Sequence, residues 1–226
     1  MDGIHDTGGL DGYPHPDPDG DDPLFRADWE RIAFTLMPAM VGQDIVNMHE
    51  FRHGVERMGA IEYLETPYYE HWLASFERLL QETGHITDDE LEAFLEQARA
   101  GTLAETAPAG DGPDIGAVLD LIEDGKDRGV TPTDPRFEAG DEVVVRNNHP
   151  RGHTRCPDYA RRATGRIETL HGSYLLPDAN AHGEGYEEPV YSVAFEPEEL
   201  WGDDAEANET ILVDLWESYL AMEDSE

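Results

Sequence analysis

The residues of this sequence best suited to do chemistry stand together in one short stretch, Pro150–Tyr159. An imidazole, a hydroxyl, a guanidinium and a thiol follow one another there, at His153, Thr154, Arg155 and Cys156. A guanidinium is permanently charged and presents its N–H donors in a planar fork. The stretch therefore offers an arginine to an anionic or electron-rich group.

Predicted strands on either side position this stretch. The apolar run Val143–Val145 precedes it, and Ala163–Leu170 follows it with a second strand-like pattern. Pro150 and Gly152 favour a loop between the two strands. The guanidinium is thus predicted to lie on a rigid loop that joins two β-strands.

The thiol of Cys156 has two interpretations. As a nucleophile it would need a base, which His153 could supply, and Arg155 would favour the thiolate. A single reduced cysteine is more often a packing residue, and we favour that reading. A metal site is not predicted on this chain, because the histidines are scattered and His149 and His153 have only one thiol nearby.

The charge of the chain limits its partners. It has 226 residues, with 51 acidic against 15 basic side chains and a net charge of −36. This charge argues against nucleic acid and anionic membranes as partners. Because Lys126 is the only lysine, we interpret the composition as adaptation to a salt-rich cytoplasm, where like-charge repulsion is screened. An acidic surface kept only for solubility is the alternative.

The compartment follows from what the chain lacks. With one cysteine it can form no internal disulfide, which fits a reducing cytosol. No apolar stretch is long enough to span a membrane, and the N-terminus lacks the pattern of a signal peptide. We therefore expect a cytoplasmic protein that does not bind membranes.

Apolar periodicity predicts four helices in the N-terminal half. They are Asp28–Met37, ended by Pro38; a helix from Asn47, capped with Glu50; a helix from Thr66-Pro67 to about Gln81; and a helix from Thr87 to Gly101, with Leu91, Phe94 and Leu95 inside. A further short amphipathic helix is predicted at Asp114–Gly125. Strand patterns follow at 142–146, 165–170, 190–195 and 210–216, and four or five short strands suit a small barrel.

These elements predict an α+β fold in three parts. Residues 1–24 form an extended arm, 25–130 a helical domain with a linker, and 131–226 a β-barrel domain. The arm is either a disordered tail or a segment that becomes ordered on a partner chain.

Two helical pairs at a spacing of four residues have alternative interpretations. Arg52 and Glu56 share one face of the second helix, which suits an ordinary surface ion pair of about 0.3 kcal/mol. Tyr68 and Trp72 share one face of the third, where aromatic rings are more often core than pocket. The pattern alone therefore favours a surface ion pair for the first pair and core packing for the second.

Six blocks along the chain resemble the β subunit of nitrile hydratase, in the order found in that family. They are Met1–Gly9, Glu50–Met58, Thr66–Trp72, Gly152–Pro157, Glu199–Gly202 and Val213–Glu217. The resemblance implies a lyase that hydrates nitriles to amides, acting as an αβ heterodimer that often pairs into an (αβ)2 tetramer. It also implies that the barrel is SH3-like and that the arm wraps around the α subunit.

The resemblance places the metal on the partner. This chain would bind no cofactor alone, and cobalt(III) or iron(III) would be held by a cysteine cluster of the α subunit, with two cysteines oxidised to sulfenic and sulfinic acid. Arg52 and Arg155 would donate hydrogen bonds to those oxidised ligands. Tyr68 would act at the nitrile, and Trp72, which looks more like the cobalt type, would form an apolar wall of the pocket.

Further positions follow from the same resemblance. Met37, Met48 and Phe51 would line the substrate pocket, and an outer hydrogen-bonding network would involve Glu56, His71 and His153. Two alternatives belong to the same family: a thiocyanate hydrolase-type subunit, or a non-catalytic activator that delivers the metal. Both halves of the family pattern lie in one polypeptide, which favours nitrile hydratase over the thiocyanate hydrolase type, and the presence of both Arg52 and Arg155 argues against an activator.

Overall fold

The computed structural model describes residues 2–10, 12, 23–103, 134–205 and 209–222. The chain divides into a helical unit, Asp22–Asp127, and a sheet unit formed by Met1–Asp21 with Arg128–Glu226. Helices in the N-terminal half and an antiparallel sheet in the C-terminal half confirm the predicted α+β class. The helix predicted at Asp114–Gly125 lies outside the described residues. No described helix is long and apolar enough to cross a membrane.

Five helices are described in the helical unit. They are α1 (Asp28–Gly42), α2 (Met48–Glu56), α3 (Ala60–Glu65), α4 (Tyr68–Glu82) and α5 (Asp88–Ala100). The predicted start of α2 is confirmed, because the Asn47 side chain accepts from Glu50 N at 2.9 Å and the Glu50 carboxylate accepts from Asn47 N at 2.7 Å. The reciprocal pair Thr87–Glu90 starts α5 in the same way. Such caps satisfy backbone donors that have no partner within the helix.

The prediction that Pro38 ends the first helix is wrong. Helix α1 runs through the proline to Gly42. A proline inside a helix costs about 3 kcal/mol. Beyond it, Met40 is only 2% exposed and Val41 packs against the same apolar cluster, so burial of the last turn offsets the cost.

Thr66 does not cap the following helix as predicted. Its hydroxyl donates to the Glu62 carbonyl at 2.7 Å and so closes α3, a helix that the sequence patterns missed. Helix α4 begins at Tyr68 without a side-chain cap. Local signals at this position fit the end of one helix and the start of the next equally well.

The apolar face predicted for α5 is present but not buried. Phe94 is 57% and Leu95 42% exposed, and α5 has no buried residue. Periodicity predicts which side of a helix is apolar, but it does not predict what covers that side.

Helices α2 and α4 form the centre of the helical core. Phe51, Phe76 and Leu79 are buried there together. The helices approach closely because Gly54 faces Ser75, whose hydroxyl is fully buried and donates to the Phe51 carbonyl at 2.7 Å. This contact fixes the turn of α2 on which Arg52 lies.

We expect Gly54→Ala to destabilise the full chain by about 1–3 kcal/mol, because overpacking a tight contact displaces its neighbours. A Cβ at this position would lie 2.1 Å from Ser75 Oγ and 3.3 Å from Ser75 Cα. Urea unfolding measures the free energy. Gly59→Ala is the control, since the nearest atom to its Cβ is 4.0 Å away. Equal stability of the two variants would contradict the contact.

The sheet unit contains five antiparallel strands in the order β4-β3-β2-β1-β5. They are β1 (Glu142–Val145), β2 (Thr164–Leu175), β3 (Glu187–Phe195), β4 (Ile211–Trp216) and β5 (Leu220–Met222), with the short helices α6 (Pro177–Asn180) and α7 (Pro197–Trp201) between them. The four strand predictions are confirmed, and β5 adds a fifth. Among the described residues no pairing joins β4 to β5, so the sheet is open rather than a closed barrel.

Alternation along these strands builds one apolar core. Val143, Val145 and Val193 are fully buried, as are Tyr191 and Leu215. Cys156 of the β1–β2 connection belongs to the same buried cluster, so the core gives the connection a rigid base.

Candidate functional site

The stretch Pro150–Tyr159 lies between β1 and β2, as predicted, and it adopts no strand. Its side chains divide between inside and outside. His153 is fully buried and Cys156 is 7% exposed, whereas Arg155 is exposed. The loop thus anchors itself through its imidazole and thiol and presents its guanidinium to the surroundings.

One phenol holds the backbone of this loop. Tyr219 Oη accepts from Arg155 N at 3.2 Å and donates to the Asp178 carboxylate. The Thr154 hydroxyl also donates to the phenol oxygen, and Thr154 Oγ1 accepts from Cys156 N at 3.3 Å. Burial and the neighbouring Asp178 carboxylate raise the pKa of Tyr219. The phenol therefore stays protonated and remains a donor to the carboxylate.

The N-terminal segment packs on the same loop region. Asp2 forms an ion pair with Arg161 at 2.6 Å, and its carboxylate lies 2.5 Å from His149 Nδ1. Asp6 accepts from Asp158 N at 2.9 Å. Burial alone would raise the pKa of Asp2, but hydrogen bonds from His149 and Arg161 hold it below its ordinary value. Residues 2–10 are thus ordered against this chain's own sheet unit.

The described residues do not fit a bound transition metal. The group of possible ligands Asp2, His149 and Asp158 is exposed. Arg161 NH1 lies 3.0 Å from Asp158 and 2.9 Å from His149, so a permanent cation already occupies the place of a metal.

The thiol of Cys156 is not poised for nucleophilic attack. Burial raises its pKa from 9.0 to about 11, against a smaller opposing effect of the Arg161 guanidinium. A protonated thiol is neither a nucleophile nor a metal ligand. The packing interpretation of this residue is therefore favoured.

We expect native Cys156 to react with iodoacetamide at pH 8 about a hundredfold more slowly than an exposed thiol, because the two pKa units between 9.0 and about 11 reduce the thiolate fraction by that factor. Unfolding in urea should restore the ordinary rate. The control is the same protein with Cys156→Ala, which should not be labelled. Rapid stoichiometric labelling of the folded chain would contradict this account.

Arg52 and Glu56 lie on α2, in the turn fixed by Ser75. Arg52 is exposed and Glu56 is half-buried. Phe51, the residue before the arginine, is 5% exposed and belongs to the core. Arg52 therefore lies on the exposed side of a helix whose opposite face is held by packing.

The predicted pocket residues of the helical unit lie around Trp72. Met37, Met48 and the half-buried Trp72 itself pack against the helical core cluster that contains Phe51. The Trp72 ring centroid lies 5.1 Å from Phe51 and 5.8 Å from Tyr68. Tyr68 is 63% exposed. Trp72 thus joins the buried cluster to an outward-facing phenol.

Two residues predicted for an outer hydrogen-bonding network, His71 and His153, are buried to different degrees. His71 is half-buried and stacks on Tyr63, with ring centroids 4.6 Å apart. His153 is fully buried within the sheet unit. Both positions suit groups that act on their neighbours rather than on a substrate directly.

Sequence reasoning missed three residues that anchor the arginine-bearing segments: Ser75, Asp178 and Tyr219. Each contacts a backbone or side-chain atom far away along the chain, with separations of 24, 41 and 64 residues. The one sequence feature that pointed toward any of them was the family-like block Val213–Glu217, which ends two residues before Tyr219.

Comparisons with known proteins match both halves of the chain. The family model "Nitrile hydratase beta subunit, N-terminal" matches residues 1–115, and "Nitrile hydratase beta subunit, C-terminal" matches 126–222. A nitrile hydratase subunit beta from Pseudomonas putida is 41% identical, covering 97% of this chain and 99% of the relative. A cobalt-containing nitrile hydratase subunit beta from Pseudonocardia thermophila is 34% identical, covering 100% and 98%.

A more limited similarity extends to another enzyme. The thiocyanate hydrolase subunit alpha of Thiobacillus thioparus is 36% identical over 90 residues, which is 38% of this chain and 70% of that protein. The similarity to nitrile hydratase subunits, in contrast, spans both the helical and the sheet units.

Proposed function

Because this chain belongs to the nitrile hydratase β-subunit family, we propose that it is the β subunit of an enzyme that hydrates nitriles to amides in complex with an α subunit. The observation that carries the proposal is the match of both family models across both units of the chain. The partial match to thiocyanate hydrolase covers too little of the chain to favour that reaction. Co-expression with an α subunit and assay of amide formation tests the proposal.

The metal of the complex belongs to the α subunit in this proposal. The described residues here offer no fitting site, since Arg161 fills the one exposed group and Cys156 stays a thiol. Relatives named as cobalt-containing support cobalt as the metal. When bound in the partner, the metal supplies Lewis-acid chemistry, and this chain supplies groups around it.

Arg52 and Arg155 are the groups through which this chain reaches the site. Each side chain is exposed, and each lies on backbone fixed by a buried hydroxyl, from Ser75 for α2 and from Tyr219 for the loop. Oxidised cysteine ligands carry anionic oxygens, and a planar guanidinium donates two hydrogen bonds to such oxygens without losing its proton. The arginines would thereby orient the ligands that surround the reacting centre.

The substrate would contact the aromatic residues of the helical unit. The Tyr68 phenol would hydrogen-bond the nitrile, while Trp72 with Met37, Met48 and Phe51 would form the apolar wall. Their positions support this, because the half-buried Trp72 ring connects exposed Tyr68 to the buried Phe51. Glu56, His71 and His153 would belong to an outer hydrogen-bonding network.

Further features of the proposal concern the fold and the assembly. We propose that the sheet unit is related to the SH3-like barrels, which its five-stranded antiparallel order supports. We propose an αβ heterodimer that pairs into (αβ)2, with the substrate being a small nitrile and the location cytoplasmic. Residues 2–10 would contact the α subunit while remaining tied to Arg161 and Asp158.

We propose that the chain is adapted to high salt, and we expect its urea midpoint to rise markedly between dilute buffer and about 2 M KCl. The net charge of −36 makes self-repulsion large when it is unscreened. The Debye length falls from about 30 Å at 0.01 M to about 3 Å at 1 M salt.

Sucrose at the same water activity is the control for this salt experiment, because it adds no ions. Equal midpoints in dilute buffer and in KCl, or an equal effect of sucrose, would contradict the proposed adaptation.

A further inference from the structure

We propose that Tyr219, held by Asp178, is a positioning residue that sets the place of the Arg155 guanidinium. The catalytic part of this inference rests on the proposed function. Tyr219 precedes β5 and Asp178 lies in α6, so two elements outside the loop converge on it. Neither residue has a role assigned by the resemblance.

The hydrogen bonds at Tyr219 form a complete set. The phenol oxygen accepts hydrogen bonds from Arg155 N at 3.2 Å and from the Thr154 hydroxyl, and its O–H donates a hydrogen bond to the Asp178 carboxylate. A phenol offers one donor and two acceptor positions, so all three are used. Tyr219 is only 6% exposed, so loss of one of these partners would leave a largely buried polar atom without its hydrogen bond.

These bonds act on three consecutive residues of the loop. Arg155 donates its backbone N–H to the phenol, Thr154 donates its hydroxyl to the same atom, and Cys156 donates its N–H to Thr154 Oγ1. The backbone on both sides of the Arg155 side chain is therefore fixed, although the side chain itself is exposed. A guanidinium that must meet two oxygens at once depends on such support.

The chain contains a matched control for the chemistry of this residue. Tyr191 is also buried, accepts from the Phe137 backbone N–H at 3.4 Å and donates to the Glu217 carboxylate at 2.7 Å. It is a second tyrosine–carboxylate pair in the same unit, and the partners of its hydroxyl, Phe137 and Glu217, lie outside the loop. Removing its hydroxyl should impair the unit in a similar way without moving Arg155.

The test compares Tyr219→Phe with Tyr191→Phe in the co-expressed complex. Tyr219→Phe should speed amide hydrogen exchange in the loop peptide about tenfold, because Arg155 N loses its acceptor, and Tyr191→Phe should not. Tyr219→Phe should also lower kcat about tenfold, with KM changed less than about twofold. In an Arg155→Lys background, the same change should lower kcat less than about twofold, since the guanidinium that it positions is already gone.

Three results would overturn the inference: loop exchange in Tyr219→Phe at the wild-type rate, an unchanged kcat, or an undiminished effect on kcat in the Arg155→Lys background. If Tyr219→Phe does not fold, Asp178→Ala replaces it, and Asp178→Asn should restore most of the loop protection by keeping an acceptor oxygen. A wild-type complex that hydrates no nitrile would refute the proposed function, while loop exchange would still decide whether Tyr219 holds the loop.

Discussion

Arg155→Lys will lower kcat for nitrile hydration by about 10- to 100-fold while leaving the αβ complex intact, and Arg52→Lys will do the same. Lysine keeps the positive charge but loses the planar fork, so it cannot donate two parallel hydrogen bonds to the oxygens of an oxidised cysteine. Both arginine side chains are exposed, so the substitutions should cost the fold little.

The controls for these variants come from the same elements. Arg151→Lys changes another exposed arginine two residues into the loop, and Arg57→Lys changes the arginine that pairs with Glu82 at 2.8 Å just after α2. Neither control should alter kcat by more than about twofold, since an exposed ion pair contributes little. Full activity in both Arg52→Lys and Arg155→Lys, measured on intact complexes, would refute the role of the arginines.

The chain purified alone will contain no cobalt or iron and will form no amide, whereas co-expression with its α subunit will give an active metal-containing complex. The described residues offer one exposed group of possible ligands, Asp2, His149 and Asp158, and Arg161 already occupies it. The Cys156 thiol is buried with a pKa of about 11 and is not a thiolate at neutral pH.

Metal analysis and product assays on both preparations measure this difference. The complex carrying Cys156→Ala is the control: it should retain the metal and most of its activity, because this thiol is assigned to packing. Stoichiometric cobalt in the isolated chain, or nitrile hydration by it, would contradict the assignment of the metal to the partner.

Local sequence signals predicted the parts of the fold that depend on neighbouring residues. The capping pairs at Asn47 and Thr87 lie within one helical turn, and both are present as expected. Pro38 failed as a stop signal because burial of Met40 and packing of Val41 beyond it offset the cost of the proline. Phe94 is exposed although it lies on the apolar face of its helix, because the pattern of apolar residues does not show which other element packs on that face.

The sequence predicted the charged residues of the candidate site, but it did not predict the residues that hold their backbone in place. The loop and its exposed Arg155 followed from strand patterns, proline and glycine. The role of Arg52 came from the family resemblance and stays a prediction. Tyr219 and Ser75 act through contacts with residues 64 and 24 positions away, and no local pattern encodes such pairings.

A crystal structure of the co-expressed αβ complex would show where the two guanidinium groups lie. We expect guanidinium nitrogens of both Arg52 and Arg155 at about 2.7–2.9 Å from oxygens of oxidised cysteines in the α subunit. Both side chains directed away from the α subunit, or bonded only within this chain, would contradict it.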